Sequence, residues 1–298
     1  MSRAVSTPSI GFVGIGAMGE PMSLALRRAG FEVTACAHRN RERLERVLRE
    51  GVKEAPDPAG VAAASEIIIT CVPDAPQVQE SLFGAHGAVN GARPGATFID
   101  MSTISPVASR AFAKRLEEAG FRFLDAPVSG GPVRAASGTL TIMVGAGEDD
   151  FRRVEPVLQA MGTPHHVGPV GLGETVKLVN QLIIASVMIA NVEALTFAEK
   201  AGADLEAVRK VLSTATASNY LLDQWLPKTW FAGTFEGGFA LDLLRKDLGA
   251  ALDAAREMKM PMPASAFAYQ LYTLRSAEGD GGLDYSAVAK FYEHVVGN

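Results

Sequence analysis

Apolar residues fall in short unbroken runs along the first half of the chain and at helical spacing along the second, with the change near Gly173. The runs around Ile10–Val13, Glu32–Cys36, Glu66–Val72, Thr97–Asp100, Phe121–Leu124 and Thr139–Val144 predict strands, the third of them fully buried. Helical patterns separate or follow them: a helix through Met22, Leu24, Ala25 and Leu26 that ends at Gly30, a charged one over Arg41–Arg49, and others over Pro106–Ala119 and Asp149–Met161. Strand and helix in alternation predict a doubly wound, mainly parallel sheet. Residues 174–201 then run without Gly or Pro and stop at Gly202, which suits a helix C′ position. At about 1.5 Å per residue that helix spans roughly 42 Å, long enough to join two domains. Helical patterns continue at Leu205–Thr214, Leu243–Met258, Ala264–Ser276 and Ser286–Val295 with no further strand, so the second half is expected to be all-helical.

The stretch from Ser9 to Met22 joins the first strand to the first helix through Gly14, Gly16 and Gly19. In that spacing the first glycine permits the tight turn, the second admits a pyrophosphate, and the third lets helix pack on strand, with Ile15, Ala17 and Met18 as the intervening loop residues. A structural turn would share the glycines, but the flanking strand and apolar helix face favour a dinucleotide site. The expected organisation is a Rossmann domain over residues 1–172 and an all-α domain over 173–298, joined through the long helix. An NAD-selecting site places a carboxylate at the end of the second strand. Here Ala37 is followed by His38, Arg39, Asn40 and Arg41. Arginine grips a ribose 2′-phosphate through two parallel hydrogen bonds, so NADP(H) is the expected preference, with NAD(H) also possible. The competing view is a solvated basic start to a surface helix, since Arg43, Arg46 and Arg49 continue the charge.

The chain has 298 residues, 48% of them hydrophobic, enough for two cored domains, and its net charge of −5 without a Lys/Arg block argues against a nucleic-acid partner. No signal-like segment or uninterrupted membrane span is read, which leads to the expectation of a cytoplasmic protein. Cys36 and Cys71 lie in apolar runs, so they read as buried free thiols, and no metal-ligand spacing is present.

Lys177, Asn180 and Gln181 stand at i, i+3 and i+4 near the start of the long helix and share a face. A shielded lysine exchanges a proton with a reacting oxygen, and the domain boundary is where a ligand cleft is expected. By itself a helical lysine is more often a solvated charge. Three segments at strand ends are expected to point at the same cleft: Val72-Pro73-Asp74, Asp100–Pro106 and Asp125–Gly131. In the last, Ser129, Gly130 and Gly131 offer a hydroxyl and approachable backbone N–H groups for a carboxylate, with a plain tight loop as the alternative. Asp247, after Lys246, can orient an ammonium group, although such pairs on helices are usually solvated.

Taken together, GFVGIGAMGEPM, IDMSTISP, LDAPVSGGPVRAASGTLTIMVG, GETVKLVNQ and LRKDL resemble the β-hydroxyacid dehydrogenase family, in the family's order and over nearly the whole chain. The resemblance implies metal-free, reversible NAD(P)-dependent oxidation of a small 3-hydroxy acid, or reduction of its semialdehyde. It implies Lys177 as the catalytic lysine and Asn180 as its substrate-positioning neighbour. It also assigns Ser129, Gly130 and Gly131 to the substrate carboxylate, Thr103 and Lys246 to the nicotinamide half of the cofactor, and Asp247 to the carboxylate near the active-site lysines. Gln181 replaces the family's usual second Asn and adds a methylene beside the substrate, while Gly237-Gly238-Phe239 replaces Pro-Gly-Phe, leaving Phe239 as a cofactor-side residue. Ala240, where tartronate semialdehyde reductases tend to carry a basic residue, mildly disfavours a dicarboxylic type of substrate. The resemblance further implies a homodimer or homotetramer built on the helical domain. An imine reductase of related fold and a non-catalytic NADP-binding sensor are the alternatives; Lys177 speaks against the first, and intact Lys177, Asn180 and Ser129 against the second.

Overall fold

A computed structural model describes residues 7–37, 41–236 and 238–296. The chain divides into two compact units, Met1–Lys177 and Leu178–Asn298.

The first unit follows the strand–helix alternation. In order come β1 (Ile10–Val13), α1 (Gly19–Arg28), β2 (Val33–Ala35), α2 (Arg41–Arg49), β3 (Lys53–Glu54), α3 (Pro58–Ala63), β4 (Ile67–Thr70), α4 (Ala75–Phe83), β5 (Thr97–Asp100), α5 (Pro106–Glu118), β6 (Arg122–Asp125), β7 (Val128–Ser129), α6 (Gly131–Ala136), β8 (Leu140–Gly145), α7 (Glu148–Gln159) and β9 (Gly162–Gly168). The sheet order is β3-β2-β1-β4-β5-β6-β8-β7, with β9 paired to β8. Pairing is parallel from β3 to β6 and between β8 and β9, whereas β8 runs antiparallel to β6 and β7. The sheet is therefore mainly parallel. Order reverses between β1 and β4, the switch point at which such sheets bind ligands. Along the central strands Val13 pairs with Thr70, Thr70 with Asp100 and Asp100 with Asp125, so four carboxyl ends stop in step.

The apolar runs are buried on both faces because helices cover each side. Phe12, Ile69 and Ile99 belong to one core cluster, and Ile68, Phe98 and Phe123 to another. Cys36 and Cys71 are free, and burial pushes their thiols up to about 11 and 12, respectively.

The long helix α8 (Leu172–Lys200) begins in the first unit and continues into the second. It stops short of Gly202, where the backbone bond from Ala203 N–H to Ala198 O closes a Schellman turn. The second unit continues with α9 (Leu205–Leu212), a π-helical and 3-10 stretch over residues 221–228, α10 (Leu241–Glu257), α11 (Pro263–Ala277), two short 3-10 turns and α12 (Ala289–Val296). Its core joins Met188, Val192 and Leu195 of α8 to Leu244 and Leu248 of α10 and Tyr272 of α11. The only strand-like pairing among its described residues is the bridge between Ala240 and Asp284.

Candidate active site

In the first unit the site grows from the row of strand ends. After β1 the chain turns at Gly14, with φ of +107°, and a Cβ at Gly19 would lie 1.9 Å from the Gly14 carbonyl oxygen. Only glycine fits at either place. A Cβ at Gly16 would meet nothing within 4 Å, so this side of the loop is open. Helix α1 starts beyond it, and the N-cap position, Met18, supplies no side-chain cap. A helix start with no side-chain cap beside an open loop fits a dinucleotide pyrophosphate. Ile15 is buried beneath the loop and Ala17 is exposed on it. Just inside the helix, Glu20 is clasped by Arg43 at 2.7 Å and by Arg46, and the hydrogen bond from Arg46 holds its carboxyl below the usual range.

His38 and Arg39 lie outside the described residues. Arg41 is exposed, and its guanidinium pairs with Glu54 and, at 3.3 Å, with Glu45.

Asp100 ties the next two strand ends together. Its Oδ1 accepts from Thr70 Oγ1 at 2.8 Å and Ser102 Oγ at 2.6 Å, and Ser102 Oγ accepts the Val72 N–H at 3.0 Å. Val72 is thereby fixed, Pro73 beside it is exposed, and Thr103 is half-buried one residue past Ser102. Beyond β6, Ser129 closes the short strand β7, Gly130 is the uncapped start of α6, and Gly131 is its first residue. Lys177, at 7% exposure, belongs to the same unit.

The remaining expected residues belong to the second unit. Asn180 Nδ2 donates to Gln181 Oε1 at 2.8 Å, and Gln181 Nε2 donates to Asp247 Oδ2 at 2.7 Å. Asp247 Oδ1 takes the Lys246 ammonium at 2.8 Å. Gln181 and Asp247 are buried, which excludes water from the chain of bonds and strengthens it. Because a carboxylate only accepts, the Gln181 amide must turn its NH2 to Asp247 and its oxygen to Asn180. Asn180 must then turn its own NH2 to Gln181, which leaves its Oδ1 as an acceptor for a further donor. Phe239 is held by its backbone N–H to Asp284 Oδ2 at 3.4 Å and packs edge-on against Tyr285. Trp225 and Trp230 are structural here, donating to Asp284 and Glu293 at 3.0 and 2.7 Å.

Sequence reasoning did not single out Asp125. It is fully buried and accepts backbone N–H groups from Gly171 and Glu174 at 2.7 and 2.8 Å. Burial pushes its carboxyl up to about 6; those N–H bonds oppose the rise, and nearby Asp100 adds to it. An Asp at a strand end, ahead of Ala-Pro, was the available signal. No cluster of three or more His, Cys, Asp or Glu side chains placed to hold a metal occurs among the described residues.

Comparison with known proteins agrees with this architecture. Residues 9–176 match the family model described as the NAD binding domain of 6-phosphogluconate dehydrogenase. Residues 171–292 match the NAD-binding region of NADP-dependent 3-hydroxyisobutyrate dehydrogenase. The chain is 39% identical to 2-(hydroxymethyl)glutarate dehydrogenase of Eubacterium barkeri, over 97% of this chain and 96% of that protein. It is 40% identical to 2-hydroxy-3-oxopropionate reductase of Escherichia coli K12, over 95% and 97%. Among solved structures, the Mycobacterium tuberculosis 3-hydroxyisobutyrate dehydrogenase with L-serine is similar with a TM-score of 0.88 at 32% identity, covering 98% of this chain and all of that one. Sheet, glycine loop and matches define an NAD(P)-binding oxidoreductase. The chain belongs to the β-hydroxyacid dehydrogenase family of NAD(P)-dependent 3-hydroxyacid dehydrogenases, the group that includes 3-hydroxyisobutyrate dehydrogenase.

Proposed function

We propose that the chain interconverts a small 3-hydroxy acid and its semialdehyde, with Lys177 as the general acid and base and NADP(H) as the preferred cofactor. The observation that carries this reading is the burial of Lys177 in the unit that also holds the glycine loop and the strand-end loops. A lysine withdrawn from bulk water gives its proton to a substrate oxygen instead of exchanging it with solvent. Ser129, Gly130 and Gly131 hold the substrate carboxylate; the family resemblance gives Asn180, in the second unit, a substrate-positioning role that its acceptor oxygen suits. The cofactor rests on Gly14–Gly19, with Val72, Pro73 and Thr103 toward its nicotinamide half and His38, Arg39 and Arg41 toward its ribose phosphate; the family resemblance adds Phe239 and Lys246, which belong to the second unit. When bound it supplies the hydride; the protein residues orient substrate and move the proton.

The substrate class follows from the relatives, whose names specify hydroxy acids or a 3-oxo acid with short chains. The test is oxidation of NADPH, with NADH in parallel, against glyoxylate and the semialdehydes of succinate, methylmalonate and tartronate, together with oxidation of 2-(hydroxymethyl)glutarate by NADP+. Turnover of one member is expected to fall by about 100-fold or more in Lys177→Ala, with NADPH binding retained. Wild-type turnover in that variant overturns the assignment of Lys177.

The assembly is read as a homo-oligomer. Val179, Ile183, Ala190 and Phe197 form an exposed apolar stripe at heptad-like spacing on α8, Phe197 at 77% exposure, a face that a second copy can cover.

A further inference from the structure

Both oxygens of Asp125 are spent on the start of one helix. Oδ1 accepts from Gly171, immediately before α8, and Oδ2 accepts from Glu174 in its first turn. Glu174 in turn accepts the Ile104 N–H at 3.1 Å, which ties the same turn to the loop after β5. The fit around the carboxylate is close. A Cβ at Gly145 would stand 2.3 Å from Oδ1, and one at Gly173 would stand 2.8 Å from Oδ2. Lys177 follows Glu174 by three residues, and the chain beyond Asp125 runs through Ala126 and Pro127 into β7 and the Ser129–Gly131 loop.

We propose that Asp125 is a positioning residue for the reaction: its ionised carboxylate locks the turn of α8 that carries Lys177 to the strand end that leads into the carboxylate-binding loop, and so fixes lysine and substrate at reacting distance. The proposal rests on Lys177 being the proton donor. A carboxylate suits the task because helix N-terminal N–H groups favour an anion, and both of its oxygens accept. Protonation turns one oxygen into a donor that faces an N–H.

The group is ionised at neutral pH against the pull of its surroundings. Burial raises its carboxyl from the usual 3.8 to about 6, and Asp100 adds to the rise. The charged and titratable groups on the elements around it are Asp100 on β5, Glu174 and Lys177 on α8, Arg110 on α5, His166 on β9 and Glu148 on α7, which pairs with His166 at 3.1 Å. The sign follows from linkage. A folded value above the unfolded one gives stability that is fully present below 3.8 and lost as pH rises through about 6. Through Asp125 alone, acidification from neutral pH therefore adds stability while it loosens the lysine's turn, and that group's contributions to stability and turnover move in opposite directions.

The experiment uses the full chain with the substrate identified in the panel. It measures kcat and KM against pH, the NADPH dissociation constant from cofactor fluorescence, and the thermal midpoint, for the wild type, Asp125→Asn and Asp100→Asn. Wild-type kcat is expected to fall below about pH 6 while the thermal midpoint rises toward about pH 5. Asp125→Asn sets an amide NH2 against a backbone N–H; its kcat is expected to drop at least about tenfold with KM and NADPH affinity within about twofold, and both pH trends vanish. Asp100→Asn moves the acid limb to lower pH. A wild-type kcat and acid limb in Asp125→Asn overturn the proposal, and so does an equal loss of turnover and NADPH binding, the signature of plain structural damage. Where Asp125→Asn does not fold, an acid limb that stays put in Asp100→Asn overturns it. Turnover that survives Lys177→Ala defeats the lysine's assignment instead, whereas lysine-dependent turnover with an indifferent Asp125→Asn defeats this proposal alone.

Discussion

Replacing Gln181 by Met keeps the volume of a buried side chain and deletes both of its hydrogen bonds. One joins it to the carboxylate of Asp247 at 2.7 Å, and the other takes the amide of Asn180 at 2.8 Å. A bond to a charged partner contributes about 1.5–3 kcal/mol and a neutral one about 1 kcal/mol. With Gln181 at 1% exposure and Asp247 at 2%, water cannot replace the bond between them. The expected loss is about 3 kcal/mol. Both tryptophans, Trp225 and Trp230, lie in the second unit, so their emission during a urea titration reports unfolding of that unit alone. With a urea slope of about 2 kcal/mol per molar, the midpoint should fall by roughly 1.5 M. Gln181→Asn, shorter by one methylene, should lose most of the Asp247 bond and fall between the two. A double-mutant cycle with Asp247→Leu should give a coupling of about 1 kcal/mol or more, because the two deletions remove the same bond. A midpoint shift under about 0.3 M, or strict additivity in the cycle, would refute the hydrogen-bonded chain and with it the argument that Asn180 presents an acceptor oxygen.

If Arg39 and Arg41 address the 2′-phosphate as proposed, replacing both by Ala should raise KM for NADPH by about tenfold or more and leave KM for NADH nearly unchanged; equal effects would reject the preference. Because Arg41 pairs with Glu54, Glu54→Gln is expected to lower KM for NADPH modestly. Wild-type chain should elute as a dimer or larger in light scattering, and Ile183→Asp with Phe197→Glu should convert it to monomer; a monomeric wild type, or one that sediments with lipid vesicles, would remove the second copy from that stripe.

The elements legible in the sequence are those whose burial leaves an unbroken mark. Ile67–Thr70 is buried throughout and apolar up to Thr70 because helices cover both faces of the central sheet, and α8 is long, apolar and free of Gly and Pro beyond Gly173. Strand β9, Gly162–Gly168, was not legible: every residue is at least partly exposed, so Pro164, His165 and His166 carry no apolar alternation. The antiparallel turn at β8 depends on pairing partners, which periodicity does not encode. Helices α3 and α4 did leave a local sign, Asp57 before Pro58 and Asp74 before Ala-Pro, and both aspartates cap as that sign implies. At the site, the glycine loop was readable because its steric rule is local. The function of Asp125 was not, because the groups it binds lie 46 and 49 residues further along the chain.

The double clasp on Glu20 bears on the charge balance of the proposed cofactor site. A bare carboxylate in the first turn of α1 would compete with an incoming phosphate for the positive end of that helix. Held between Arg43 and Arg46, it is the centre of a triad that sums to one positive charge, with Glu42 also acting on Arg46, so its competition with an incoming phosphate is offset even though the protein as a whole carries −5. A local field of this kind, on an exposed rim, reaches only about 8–10 Å at physiological salt. Capture of the cofactor should therefore slow as salt rises, while the closely fitted backbone of the loop, which salt does not screen, governs how long it stays.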